Sequence, residues 1–102
     1  MEIIIKDKVY KLKYTLRALF IYEQITGKMF ELKTLTDQYI FFYCLLMANN
    51  PNSELTFDKL IDAMDEDPTL IKTYQDFMED EVKKQNQYMN QDPEDSDTKK
   101  KL

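Results

Sequence analysis

Few side chains in this sequence are of a type that performs chemistry. The chain has no His, one Cys and one Gly. Cys44 stands inside ten consecutive apolar residues, positions 39–48. Apolar surroundings with no His partner keep a thiol protonated and therefore a poor nucleophile. The missing His also removes the commonest general base and metal ligand. One Gly cannot build a loop that cradles phosphates. Acidic residues gather at Asp62, Asp65, Glu66 and Asp67. A calcium loop needs oxygen ligands at alternating positions, a Gly at its sharp turn and a distal Glu. Asp65 and Asp67 alternate, but Thr69 and Leu70 stand where a further ligand and the Gly belong. The cluster reads better as a solvated corner whose carboxylates favour the positive end of the next helix. Paired carboxylates for sugar hydrolysis need a cleft, which so short a helical chain hardly offers. The expectation is a protein that is not an enzyme and uses no cofactor or metal.

What remains is surface for partners. Seven Tyr, six Phe and six Met are the residue types enriched at the buried centres of interfaces. Most of them must also serve as core. The net charge of −5 is polarised: residues 1–33 carry a net of +3 and residues 34–102 a net of −8. Acidic surface repels phosphates, so nucleic acid is not an expected partner. Opposite charge at the two ends allows copies to stack head to tail, or simply lets a basic segment pack beside acidic helices of one monomer. The lone buried-type Cys fits a reducing compartment. No basic segment precedes the short apolar stretch Ile3-Ile4-Ile5, so it does not read as a secretory signal. The longest apolar run is about half the ~20 residues that cross a bilayer. A cytoplasmic protein with no membrane partner is expected.

The elements that position these residues follow from periodicity and punctuation. Ile3-Ile4-Ile5 and the alternating stretch 9–14 are strand signals, joined by Lys6-Asp7-Lys8 at hairpin length. A lone hairpin is marginal in water and must lie on the helices that follow. Thr15 caps a helix from Leu16, and Gly27 ends it. In that helix Leu16, Leu19 and Phe20 form an apolar stripe broadened by Ala18, Ile21, Tyr22 and Ile25, with Glu23 at its solvent edge. Thr34 and Asp37 have capping-box spacing and open a second helix to about Ala48. That helix is apolar all round, so it is either the centre of a bundle or keeps one side for a partner. Residues 49–53 break the chain. Thr56 caps a short helix, residues 57–64, and Asp67-Pro68 starts the last one. Leu70, Ile71, Tyr74, Phe77, Met78 and Val82 form its buried stripe, which thins through Tyr88 and Met89. Residues 92–102, acidic and then Lys-rich, read as a disordered tail. The fold class expected is α+β, mainly α: an N-terminal hairpin (1–14) on a small bundle of about four helices, one domain over 1–91.

The ordered set of segments resembles a known family. Tyr10-Lys11-Leu12-Lys13-Tyr14-Thr15-Leu16-Arg17-Ala18-Leu19 is followed by Glu23-Gln24-Ile25-Thr26-Gly27-Lys28. Then come Leu35-Thr36-Asp37-Gln38-Tyr39, the aromatic helix, Leu55-Thr56-Phe57-Asp58-Lys59-Leu60-Ile61-Asp62-Ala63 and Asp65-Glu66-Asp67-Pro68. Over roughly residues 8–80 this is similar to the tail assembly chaperones of long-tailed bacteriophages and prophages. The resemblance implies a short-form chaperone that coats the helical tape measure protein in the host cytoplasm, then leaves before the virion is complete. On that reading a groove beside the second helix takes an amphipathic helical segment of the tape measure protein. Tyr39, Phe42, Tyr43, Leu46 and Met47 are the contact candidates, and Tyr88 and Met89 would bridge neighbouring copies along it. The competing readings are an acidic inhibitor of the DNA-mimic type and a general helical adaptor.

Overall fold

The first turn is set by two residues. Lys6 and Asp7 both have positive φ, 51° and 70°, the geometry of a two-residue hairpin loop whose twist matches its strands. It joins β1 (Glu2–Ile5) to β2 (Lys8–Lys11). The strands pair antiparallel with Ile3 opposite Tyr10 and Ile5 opposite Lys8. Lys8 thus belongs to the strand rather than to the connection. β2 also ends at Lys11, short of the alternating pattern, although Leu12 still pairs back to Met1. Ile3, Ile5, Tyr10 and Leu12 are buried, so the period-two alternation defines one inward face.

The computed structural model describes the backbone of residues 1–91 and the side chains of residues 1–84. Among these the chain is mainly helical, α+β, with the hairpin followed by α1 (Leu16–Thr26), α2 (Leu35–Asn49), α3 (Phe57–Glu66) and α4 (Thr69–Gln91). The expected tail, 92–102, lies outside the described residues. The chain divides into two units, Met1–Ile71 and Lys72–Leu102.

In the first unit α1, α2 and α3 each start on a threonine. Thr15, Thr34 and Thr56 accept from the backbone N–H of Ala18, Asp37 and Lys59, each satisfying one orphan donor of a first turn. Gly27 closes α1 in the left-handed conformation, φ 71°, its N–H donating to Glu23. A residue with Cβ is disfavoured there by its backbone angles and not by crowding, since nothing lies within 4 Å of the position a Cβ would take.

α2 is the hub on which α1, α3 and β2 pack. Asn49 and Asn50, which read in the sequence only as a chain break, tie the hairpin to it. Asn50 Oδ1 accepts from the Lys11 N–H at 3.0 Å, and its Nδ2 donates to the Lys11 carbonyl at 2.9 Å. Asn49 Nδ2 donates to the Lys13 carbonyl at 2.8 Å. The side-chain amide of Asn50 therefore completes the edge of β2 as another strand would.

In the second unit α4 continues from Lys72 with ion pairs along its surface, Lys72 to Asp76 and Lys84 to Glu81. Val82, expected in a buried stripe, is 53% exposed.

Candidate partner-binding surface

Two helices decide where apolar surface is hidden and where it is shown. α2 begins at a capping box: Thr34 Oγ accepts from the Asp37 N–H, and the Asp37 carboxylate accepts from the Thr34 N–H. Lys28 Nζ donates to the same carboxylate at 2.8 Å. That ammonium, with the Thr34 amide, holds Asp37 at about 2, well below the usual carboxylate value, although burial opposes it. Asp37 is the one buried charged side chain among the described residues. Every strong partner it has is local, so it serves as a clamp on the α1–α2 connection. Beside it the Tyr22 hydroxyl donates to the Glu31 carbonyl at 3.0 Å. Its pKa is raised by burial first and by the Asp37 charge second.

Phe41 lies at the centre of the aromatic packing. Its ring is 4.7 Å from Phe30, 5.6 Å from Tyr14 and 6.3 Å from Tyr22, in edge or tilted contacts. With about 100° per residue, Phe41, Phe42, Cys44, Leu45 and Leu46 occupy most of the circumference of α2, and all five are fully enclosed. Burial pushes the Cys44 thiol up to about 12, which leaves it inert at neutral pH.

This burial corrects the expected contact set. Phe42 and Leu46 are 0% exposed and belong to the core, because α2 is covered on more sides than its composition suggested. Tyr39, Tyr43 and Met47 are half-buried. They stand four residues apart in one row of α2, with half-buried Ile40 beside them. The Tyr43 hydroxyl donates to the Leu55 carbonyl at 3.2 Å, and its ring meets Phe57 edge-on at 6.1 Å. Tyr43 thus links α2 to α3 and shows only part of its ring. Tyr88 and Met89 fall in α4 beyond the last described side chain, outside the described residues.

Exposed large apolar side chains are found instead on α1, whose spacing predicts the apolar stripe Leu16, Leu19 and Phe20. Ala18 and Tyr22 are the residues buried there. Leu16 and Phe20, on nearly the opposite side of the helix, are 64% and 55% exposed. Ile25, Met29 and Leu35 are exposed as well. The signal was present in the polar residues: Arg17, Glu23 and Gln24, all exposed, bracket Leu16 and Phe20 on the helical wheel and mark that side as solvent-facing.

The acidic corner is occupied with structural work. Asp67 Oδ1 accepts from the Thr69 N–H and hydroxyl at 3.1 and 2.6 Å, which starts α4, and Glu66 pairs with Lys6 at 3.3 Å. Among the described residues no three acidic or thiol groups converge to hold a metal ion. A cleft lined by residues 8–10 and 50–54 carries Glu54 as its single carboxylate, without the second that hydrolysis of a glycoside uses. No described helix is long and apolar enough to cross a membrane. Comparison with protein-family models, curated proteins and solved structures finds no match.

Proposed function

We propose that this chain is a non-catalytic tail assembly chaperone of a long-tailed bacteriophage or prophage, which binds amphipathic helical segments of the tape measure protein and keeps them soluble. The observation that carries the reading is the exposed apolar set within residues 16–35: Leu16, Phe20, Ile25, Met29 and Leu35, each at least half exposed. Of these, Leu16 and Phe20 share one side of α1, and neighbouring large apolar side chains left in water are what a protein docking site uses. The identity of the partner comes from the resemblance of the ordered segments between roughly residues 8 and 80.

The outer stripe of α1 takes the apolar face of a partner helix, with Leu16 and Phe20 as anchors one turn apart. Tyr39, Tyr43 and Met47 form a second, shallower row on α2, where Met47 adapts to varied sequence. Acidic character over residues 34–102 keeps nucleic acid off. The protein acts in the host cytoplasm, associates with further copies along the tape measure protein, and is absent from the mature virion.

Co-expression with the tape measure protein tests this. The full chain is expected to keep that protein soluble and to co-purify with it. The Leu16→Glu/Phe20→Glu variant loses both effects while its helical circular dichroism is unchanged, since neither residue is core. A tape measure protein that precipitates equally with the parent chain contradicts the reading.

A further inference from the structure

The two edges of the hairpin are unequal. Met1 and Leu12 exchange two backbone bonds, Leu12 N–H to Met1 O at 2.9 Å and Met1 amino to Leu12 O at 3.0 Å. With the observed register, alternation makes Ile3–Tyr10 and Ile5–Lys8 bonded pairs as well. The backbone groups of Glu2, Ile4, Val9 and Lys11 therefore face away from the partner strand. On the β2 side, Asn50 occupies both groups of Lys11. On the β1 side, no further strand is present among the described residues, and the backbone of Glu2 and Ile4 has no hydrogen-bond partner there. Edge strands are ordinarily guarded by shortness, by charge and above all Lys, by Pro or by a bulge, and the four residues of β1 carry Glu2 as their single charge. Glu2-Ile3-Ile4-Ile5 has no Lys, Pro or bulge. Its solvent face instead carries the cross-strand pair Ile4 and Val9, 63% and 61% exposed.

We infer that the outer edge of β1 is a self-pairing site, where β1 of a second copy docks antiparallel across a two-fold axis to make one four-stranded sheet. Outward-facing residues must meet outward-facing residues, which limits the register. Centring the axis on Ile4 sets Ile4 against itself and brings Glu2 level with Lys6, the first residue of the second copy's turn, twice by symmetry. A register shifted by two residues would set Glu2 against Ile4, so charge complementarity selects the first. Lys6 is free to exchange partners at small cost, because its pair with Glu66 is solvent-exposed on both sides. The joined sheet runs Val9, Ile4, Ile4, Val9 across its outer face, and four strands supply the stability that a two-stranded ribbon lacks. This pairing does not rest on the chaperone reading and involves the chain alone.

Cysteine cross-linking of the full chain tests the site, because the native Cys44 is buried. In Ile4→Cys the two thiols fall on a bonded pair with Cα atoms about 5.5 Å apart, within disulfide reach. In Val9→Cys they lie three strand spacings apart, about 14 Å. Rapid oxidation to dimer is expected for Ile4→Cys and not for Val9→Cys; equal cross-linking of both, or of neither, overturns the proposal. Sedimentation tests the register. Glu2→Lys and Lys6→Glu each weaken the dimer about tenfold or more, and an equimolar mixture of the two restores it, since every cross-strand pair is then complementary. Parent protein that stays monomeric over the whole concentration range, or a mixture no tighter than either variant, overturns it.

Discussion

α1 and α2 invert what their compositions suggest. α2 is apolar on every side, yet five of its residues are fully enclosed and only the row Tyr39, Tyr43 and Met47 reaches the surface in part. α1 carries polar residues and is the shorter helix, yet it leaves Leu16 and Phe20 more than half exposed. The lesson is that hydrophobic content does not locate exposed apolar surface. A helix surrounded by a hairpin and two neighbours is a core, whatever its composition. A peripheral helix buries one side only, and any apolar residue on its other side stays in water. Ala18 and Tyr22 take the inward side of α1, a small residue for close approach and a ring to fill the space beside Phe41.

The largest effect that sharpens this contrast is on stability. Phe41→Ala removes the ring at the centre of the aromatic cluster and is expected to cost about 3–5 kcal/mol. Phe20→Ala should stay within about 0.5 kcal/mol. Urea unfolding of both variants reads the difference, and comparable losses would mean that α1 is core on both sides.

Next in size is the tie between α2 and the hairpin. Asn50→Ala leaves the Lys11 amide and carbonyl without their partner, an expected loss of about 1–3 kcal/mol. Hydrogen exchange at the Lys11 amide should accelerate together with the loss. Unchanged protection there would show that the side-chain amide is not what completes the strand edge.

Smaller still are the helix starts. Thr15→Ala and Thr34→Ala each forfeit a cap, about 1 kcal/mol. The Thr34 change is expected to cost the less, because the other half of its capping box, the Thr34 N–H donating to the Asp37 carboxylate, survives the substitution. Differential denaturation midpoints decide the order.

The smallest effect is a pH dependence. Asp37 titrates at about 2 when folded, against an ordinary 3.8, chiefly because Lys28 donates to it. Its depressed folded value means that its contribution is fully present above the ordinary carboxylate range and disappears as pH falls through about 2. Thermal midpoints taken from about pH 5 down to about pH 2 should fall more steeply for the parent chain than for Asp37→Asn. Parallel curves would remove Asp37 from the clamp.

How much of this was legible in the sequence depends on how local the determinant is. Thr15, Thr34 with Asp37, Thr56 and Gly27 act within a turn of chain, and the ends they mark match the helices observed. The hairpin was legible for the same reason, apart from its two-residue loop, which needs positive φ at Lys6 and Asp7. What failed was the assignment of faces. Leu16 and Phe20 have the spacing of a buried stripe, but spacing fixes only which residues share a side, and the neighbours choose which side turns inward. Phe42 and Leu46 depart from expectation for the converse reason: an all-apolar helix has no polar residue to point to solvent. Asn50 is the breaker that the sequence marks, ending α2, but its tie to Lys11 is not legible, because long-range side-chain pairing leaves no local trace.

The central claim is that partner recognition belongs to the outer stripe of α1 and not to the interior of α2. Chemical-shift mapping of the isotope-labelled full chain, titrated with an amphipathic helical peptide of tape-measure type, tests it most directly. Leu16 and Phe20 are expected to shift on binding while Phe42 and Leu46 keep their free positions. Shifts centred on Phe42 and Leu46, with Leu16 and Phe20 unmoved, would contradict it.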